Sequence, residues 1–592
     1  MSAYAPGCPD HSREWPTGDL ARLLARVSRP GRYTGGEFNV RSKPAAGPRI
    51  VLSYPDVYEI GISNQGLQIL YALVNDTTTA VAERAYCPWP DMAGLMRDAG
   101  VPLWTLETLA PVAACDLWGF TLPHELTYTN VLEMLDLAGV PLHAADRGEA
   151  HPIVLGGGPG VADPWPLAPF FDAFFVGEAE HRLAGIVAAL EAPSRAARLQ
   201  ALAAVPGVWA PGLSTGPARR QVFTAFSSTM PVLRPVVPVL EAVHDRAVVE
   251  VMRGCTAGCR FCQAGMWYRP VRERPVGMVV EAADRLLDET GCDEVSLLSL
   301  SSCDYSGIEE ALTRIRALRP GLRVSLPSLR IDSAAQQLRG FAADQRGSIT
   351  LAPEAGTQEL RDAINKGVDD AQYEEAVRAT FSGGFTGLKL YFMIGLPGET
   401  DDDVLGIARM AGVAARVARE VAKGRARLSV SVSSYVPKPH TPHEREPFAG
   451  AEVLRRRQQL VRDSMPRGVR PSFHDVAASS VEAVLARGGD GSHRLVEEAW
   501  RRGARFDGWT EHFKSGAWAE AAAALGLSLA GAGERLSGPL PWTVAVDAGL
   551  DPRFLADEAS RGERGELTPD CRDGSCAACG VCGDGVEMDV LA

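Results

Sequence analysis

The sequence predicts an α/β chain: two successive units of alternating strand and helix, then a mainly helical region ending in a cysteine-rich tail. Three observations carry that expectation. Short apolar runs alternate with helix-length segments from about 48 to 190, and again from about 245 to 455. Turns rich in Gly and Pro separate the runs. Seven of the twelve cysteines fall into two tight groups, at 255–262 and 571–582.

Residues 1–45, rich in Pro, Gly and Arg with one short helical pattern (ARLLARV), read as an N-terminal extension. Over 46–190, RIVLSYPD reads as a buried strand and SNQGLQILYALVN as the helix that follows it. DLWGFTL, LTYTNVLEMLDLAG, PIVLGGGPG and FDAFFVGEAE continue the alternation. Such a pattern builds a Rossmann-like parallel sheet wrapped by helices, which binds ligands at the carboxyl ends of its strands. GGGPGVAD lacks the full G-x-G-x-x-G with a following helix, so a dinucleotide site is not expected. A proline-rich linker spans 191–244.

Over 245–455, AVVEVMRG, EVSLLSLSS, RVSLPSLRI, SITLAPEAG, GLKLYFMIG and LSVSVSSYVP are six strand candidates with helical segments between them. Six strand–helix repeats make a partial (β/α)6 TIM-type barrel, fewer than the eight of a closed one. Residues 456–592 read as a helical, Arg-rich accessory region carrying the second cysteine group.

Length and charge bound the function. At 592 residues several domains are expected. Sixty basic against 73 acidic residues give a net charge of −13, which argues against broad charge-driven binding to nucleic acid or anionic membrane. The N-terminus lacks a basic-then-apolar signal pattern, and no run approaches about 18 apolar residues. A cytoplasmic protein is expected, where cysteines serve metals or catalysis more than disulfides. Cys8, Cys87, Cys115, Cys292 and Cys303 are scattered and read mostly as small buried residues.

RGCTAGCRFC places Cys255, Cys259 and Cys262 in a C-x3-C-x2-C array directly after the first strand of the second unit. Thiolates are natural ligands of iron–sulfur clusters, and this spacing lets one loop wrap one cluster. Three ligands for four irons leave one iron open, which substrate-activating chemistry requires. The alternatives are three unrelated thiols or a three-cysteine zinc site completed from afar, but the nearest histidine, His244, lies outside the loop.

With Phe261 as the aromatic, C-x3-C-x-aromatic-C resembles the signature of the radical S-adenosylmethionine (SAM) superfamily. YRPVRERP, PEAGTQELRDAINKG, GLPGET and VPKPHTP resemble the branch holding methylthiotransferases and cobalamin-dependent members. The resemblance implies that Cys255, Cys259 and Cys262 bind a 4Fe–4S cluster whose open iron takes SAM. It implies that Phe261 lies near the adenine, and that Ser301 and Ser302 occupy the place of a Gly-Gly-Glu motif holding the SAM amino group. Glu354 would make a polar SAM contact, and Ile394 and Gly395 would pack near the adenine. His440, in VPKPHTP, falls where the family binds substrate, although a surface role is the commoner one for such a residue.

PDVYEIG resembles the Asp-x-His-x-x-Gly loop of cobalamin-binding domains, with Tyr58 in place of His. The N-terminal layout resembles fusions of a cobalamin-binding-like domain to a radical SAM barrel. Two alternatives stay open: cobalamin bound without a cobalt ligand from this loop, or the fold kept without the cofactor. Cys571, Cys576, Cys579 and Cys582 read C-x4-C-x2-C-x2-C, closer to ferredoxin loops than to zinc fingers. A second iron–sulfur cluster is expected there, with structural zinc as the alternative. The Arg runs at 455–457 and 501–505 read as solvated helix faces.

The sequence thus points to a radical SAM enzyme cleaving SAM at a 4Fe–4S cluster, with cobalamin-linked methyl transfer as one outcome. An RNA-modifying, methylthiotransferase-like enzyme and a non-catalytic iron–sulfur redox sensor are the alternatives. The implied partners are SAM, a substrate and an electron donor such as flavodoxin or ferredoxin; no membrane partner is implied and nucleic acid is not indicated.

Overall fold

A computed structural model describes residues 18–44, 46–243, 245–325, 331, 348–422, 426–489 and 491–591. Its first sheet holds β1 (Arg49–Tyr54), β2 (Val81–Tyr86), β3 (Leu117–Thr121), β4 (Ile153–Gly157), β5 (Ala173–Phe175) and β6 (Val208–Trp209). The order is β2-β1-β3-β4-β5-β6, with the first five parallel and β6 antiparallel to β5. The progression reverses between β1 and β3, and open α/β sheets bind ligands in the crevice at such a switch.

The helix Gln65–Thr77 starts where Asn64 accepts the Leu67 N–H at 2.9 Å. Leu67, Tyr71 and Val74 recur at helical spacing and join Ile50, Leu117 and Leu155 in one core.

The sequence pattern missed β2. VAERAY carries Glu83 and Arg84 in its middle, which reads as exposed chain. In the fold Arg84 is fully buried and pairs with Glu107 at 2.6 Å and Glu37 at 3.0 Å. Those partners come from distant segments, so nothing local marks the strand as buried. Residues 191–244, expected as a linker, include the helix Arg195–Ala203, β6, and a short strand β7 (Ala218–Arg219). Gln68 exchanges two hydrogen bonds with the Val236 backbone, tying the proline-rich stretch to the first unit.

The second unit has β8 (Ala247–Glu250), β9 (Met252–Arg253), β10 (Arg272–Glu273), β11 (Glu294–Leu298) and β12 (Arg323–Ser325). It continues with β13 (Ser348–Glu354), β14 (Gly387–Ile394), β15 (Arg427–Ser434) and β16 (Arg470–Phe473). β8, β11 and β12 form one parallel array, and β13 to β16 another. Val249, Leu297, Val324, Leu351, Leu390 and Val432 from both arrays share one apolar core. Between the arrays, only Ile331 of residues 326–347 is described, so the second half of the RVSLPSLRI candidate lies almost wholly outside the described residues. β16 is a correction: it adds a seventh parallel strand beyond the expected barrel boundary. RPSF has no apolar run, and its burial is only partial.

The C-terminal helices pack mainly on the first unit. Trp500, Phe506 and Trp518 share a core with Trp118 and Leu132, and Asp507 bridges the Thr129 hydroxyl and the Trp518 indole. A last strand, β17 (Val546–Asp547), pairs with β7. Two arginines depart from the solvated role expected of them: Arg457 is buried against Glu399 at 2.7 Å, and Arg505 pairs with the buried Glu133. Among the described residues no helix is long and apolar enough to cross a membrane.

Candidate functional site

The cysteine loop grows out of β9. Gly254 makes the turn at φ +90°, where a Cβ would lie 2.4 Å from the Pro270 carbonyl oxygen. Cys255, Cys259 and Cys262 follow, all half-buried. Cys262 caps the helix Gln263–Trp267, its Sγ accepting the Gly265 N–H at 3.3 Å. Burial pushes the Cys262 thiol up to about 12, and Cys259 and Cys255 push it the same way. Lys366 opposes that shift.

This donor set fits an iron–sulfur cluster. Among the described residues no three His, Cys, Asp or Glu side chains converge as ligands of one metal ion do.

The loop is held from outside by contacts that local sequence reasoning did not find. Arg260, fully buried, donates to the carbonyls of Asp362, Ala363 and Glu566 at 3.1, 2.9 and 2.7 Å and pairs with Glu558 at 3.2 Å. Asn365 donates to the Ala257 and Gly258 carbonyls and accepts the Thr568 N–H at 2.8 Å. Replacing Asn365 with Ala removes these bonds at a buried site, and we expect a loss of roughly 1–3 kcal/mol with incomplete iron loading. Chemical unfolding and iron analysis of the variant check it; full loading at unchanged stability would refute the role.

The first unit clamps the base of the same loop. Glu178, in the VGEAE stretch after β5, binds Arg272 through both oxygens at 2.7 and 2.9 Å and accepts the Phe223 N–H at 2.6 Å. Arg253, two positions before Cys255, lies between Glu178, Glu180 and Glu250. VGEAE and YRPVRERP were visible in the sequence; their pairing was not.

The other expected site residues have differing surroundings. Phe261 packs beside Leu360, Ile364, Leu396 and Tyr435. Ser302 is spent on the turn, its hydroxyl donating to the Leu297 carbonyl at 2.9 Å, whereas the buried Ser301 hydroxyl has no partner among the described residues. The Ser434 and Tyr435 hydroxyls, at the end of β15, are likewise buried and unpaired. These open donors suit a polar ligand. Glu354, at φ +69°, pairs with Lys366 at 3.3 Å, which sets an ammonium between that carboxylate and the cysteine loop. Ile394 lies in the barrel core. The Gly395 N–H donates to Glu399 at 2.6 Å, and a Cβ on Gly395 would meet Leu454, so this glycine backs onto the helix Ala451–Ser464. His440 is buried, held by the Ala162 carbonyl at 3.0 Å, and not a surface residue.

A cavity of about 430 Å3 joins the two units. Leu52, Gly119 and Gly156–Gly158 of the first sheet and Ile69 of the helix after β1 line one end, and Gly254, Ser299 and Leu300 the other. Gly157 has room for a Cβ, so its bare backbone keeps the crest open. Tyr58 does not line this cavity: it is buried against Tyr86, ring centroids 5.5 Å apart.

The terminal cysteines lie beside the cysteine loop through their flanking residues. Thr568 bonds Asn365, and Arg572 donates to the Asp304 carbonyl at 2.7 Å. Cys571 is half-buried, Cys579 buried, and Cys576 and Cys582 exposed. The Cys582 thiol is raised by burial and then by Cys579, Cys576 and Cys571. Of the scattered cysteines, Cys87, Cys115 and Cys303 are buried, Cys292 is half-buried, and Cys8 lies outside the described residues.

A parallel α/β barrel whose first strand opens into a three-cysteine loop with an iron–sulfur donor set defines the class of radical SAM enzymes. Comparison with known families matches residues 66–211 to "Radical SAM proteins, N-terminal" and residues 249–411 to "Radical SAM superfamily". The chain belongs to the radical SAM superfamily and is an enzyme of it, a membership that implies a 4Fe–4S cluster and SAM.

An uncharacterized protein of Methanocaldococcus jannaschii is 27% identical over 405 residues, 68% of this chain and 84% of that one. A tRNA-2-methylthio-N(6)-dimethylallyladenosine synthase of Chlorobium phaeobacteroides is 28% identical over 26% of this chain and 37% of its own length. An anaerobic magnesium-protoporphyrin IX monomethyl ester cyclase of Cereibacter sphaeroides is 25% identical over 41% of each. Among solved structures, the radical SAM methyltransferase TsrM of Kitasatospora setae, with cobalamin and a 4Fe–4S cluster bound, gives a TM-score of 0.46 at 17% identity, covering 65% of this chain and 75% of that one. The cobalamin-dependent SAM radical enzyme OxsB gives 0.45 at 14%, covering 64% and 55%.

Proposed function

We propose that the chain cleaves SAM reductively at a cluster held by Cys255, Cys259 and Cys262, and that cobalamin in the cavity between the first sheet and the barrel serves methyl transfer to a substrate. The observation that carries this reading is the course of that cavity, from the crest of β1, β3 and β4 to Gly254 beside the cysteine loop. A ligand lying along it reaches both units. Bound cobalamin supplies a cobalt–carbon bond that can carry a methyl group. Tyr58, buried elsewhere, supplies no ligand to the metal, so the first unit holds such a cofactor by shape, through the glycine crest and the apolar strand faces.

The chain's own groups divide the work of holding SAM. The Ser301 hydroxyl and the Lys366 ammonium are placed for its amino-acid end, with Glu354 orienting Lys366. Phe261 and Ile394 wall the adenine side. Cys571, Cys576, Cys579 and Cys582 read as ligands of a second iron–sulfur cluster, and the anchoring of their segment to the cysteine loop suits electron relay from a ferredoxin or flavodoxin.

Anaerobic reconstitution with iron, sulfide and cobalamin tests the reading. We expect about eight irons per chain, falling to about four when the four terminal cysteines become Ala. Cobalamin binding should be lost in Gly157→Leu with iron unchanged. A wild-type chain that loads iron but retains no cobalamin overturns the methyl-transfer reading, and zinc in place of the second set of irons makes the terminal site structural.

A further inference from the structure

A second, smaller cavity, of about 190 Å3, lies behind the cysteine loop. His124, Glu125 and Asp163 of the first unit line it, with Gln263 and Lys438 of the barrel and Glu482 of the helix Val476–Arg487. Gln263 directly follows Cys262, and Pro159 lines both this chamber and the larger cavity. The chamber therefore adjoins both the cysteine loop and the larger cavity.

Its charges do not cancel. Lys438 donates to both oxygens of Glu125 at 2.8 and 2.7 Å and lies 2.8 Å from Glu482 Oε1. The three protons of its ammonium are matched by three acceptors, so it has none to spare for a ligand. Asp163 is different. It is 5% exposed, its Oδ1 takes the Trp165 N–H at 3.1 Å, and its Oδ2 has no hydrogen-bond partner among the described residues. Three carboxyl groups thus face one ammonium among the described lining residues. Burial raises the Asp163 carboxyl to about 7 and Glu125 adds to the rise, against the amides of Trp165 and Gly489. An enclosed carboxyl with no cation beside it and one oxygen without a hydrogen bond is the feature a cationic ligand would complete.

We propose that this chamber is the substrate pocket and that it takes a small molecule through a protonated amine, with Asp163 Oδ2 as the acceptor. The inference rests on the reading of the cysteine loop as the SAM-cleaving centre. Lys438, Glu125 and Glu482 form an ion-paired frame that keeps the wall rigid, and Asp163 supplies selectivity. The rest of the substrate then lies toward Gln263 and Pro159, between the cysteine loop and the larger cavity.

The test uses the reconstituted full chain and three small probes of similar size: n-butylammonium, n-butanol and butyrate. Ligand-observed NMR titration should show butylammonium binding at least about tenfold more tightly than butanol, with butyrate excluded. Asp163→Asn, with native circular dichroism, should weaken butylammonium by about tenfold and narrow its margin over butanol. Butanol or butyrate binding as well as the amine, no binding of the amine, or an unchanged affinity in the Asn variant each overturns the proposal. Release of methionine and 5′-deoxyadenosine by the wild type is measured on the same preparation. Intact SAM cleavage without amine selectivity sinks only this inference, whereas absent cleavage in an iron-loaded chain sinks the reading beneath it.

Discussion

Replacing Cys255, Cys259 and Cys262 together with Ala is expected to abolish SAM cleavage, a loss of about a millionfold or more, while leaving the fold in place. The three thiols are the proposed cluster ligands, and apart from the Cys262 cap on the helix Gln263–Trp267 the loop is held by other groups. Arg260 and Asn365 anchor its backbone to the segments around 363 and 566–568, and neither bond set involves a sulfur. The triple variant should therefore keep its circular dichroism and its terminal metal while losing the iron of the central site. Iron analysis together with methionine and 5′-deoxyadenosine release reads the result. A variant that still cleaves SAM would move the chemistry away from this loop.

Glu178→Ala should cost roughly 3–5 kcal/mol, the largest stability effect of any single substitution considered, because it strands charges in the interior. Arg272 is about 1% exposed and depends on both Glu178 oxygens, and Arg253 loses one of its three carboxylates. Burial alone would raise the Glu178 carboxyl, but Arg253 and Arg272 outweigh it and hold it below the ordinary range. A depressed folded value means that the contribution is complete above the unfolded value of about 4.3 and is lost as pH falls through the folded one. Urea unfolding at neutral pH should show the full deficit, and the wild type should lose its advantage over the variant in acid. Since Arg253 stands two residues before Cys255, iron loading should fall as well. Equal unfolding midpoints at neutral pH would show that the clamp contributes nothing.

Much of this chain was readable from its residues because the deciding signals were local. A C-x3-C-x2-C array after an apolar run names both an iron–sulfur donor set and its place at the end of a strand, since ligands of one cluster sit close in sequence. β1, β3, β4 and the strands β8, β11, β13, β14 and β15 were legible for a related reason: their buried positions carry apolar residues close together in sequence. β2 and β16 broke that rule. One is buried through ion pairs made with distant residues, and the other is only half-covered.

Polar atoms in the interior escaped the sequence reading for the same cause. Ser301 and Ser302 are neighbours of identical chemistry, yet one hydroxyl is consumed by the turn and the other is open. Glu178, Asp163 and Lys438 look like ordinary charged residues until their partners, or the lack of one, can be seen.

The amino-acid sequence alone settled the superfamily, the α/β plan and the two cysteine groups, because each depends on residue type and spacing over a few positions. Folding in three dimensions settled how the first unit clamps the cysteine loop, where the terminal cysteines lie, and which cavities open between the units. Those features join residues hundreds of positions apart, and burial, which turns a surface charge into a clamp or an unmet need, is a property of the packed chain.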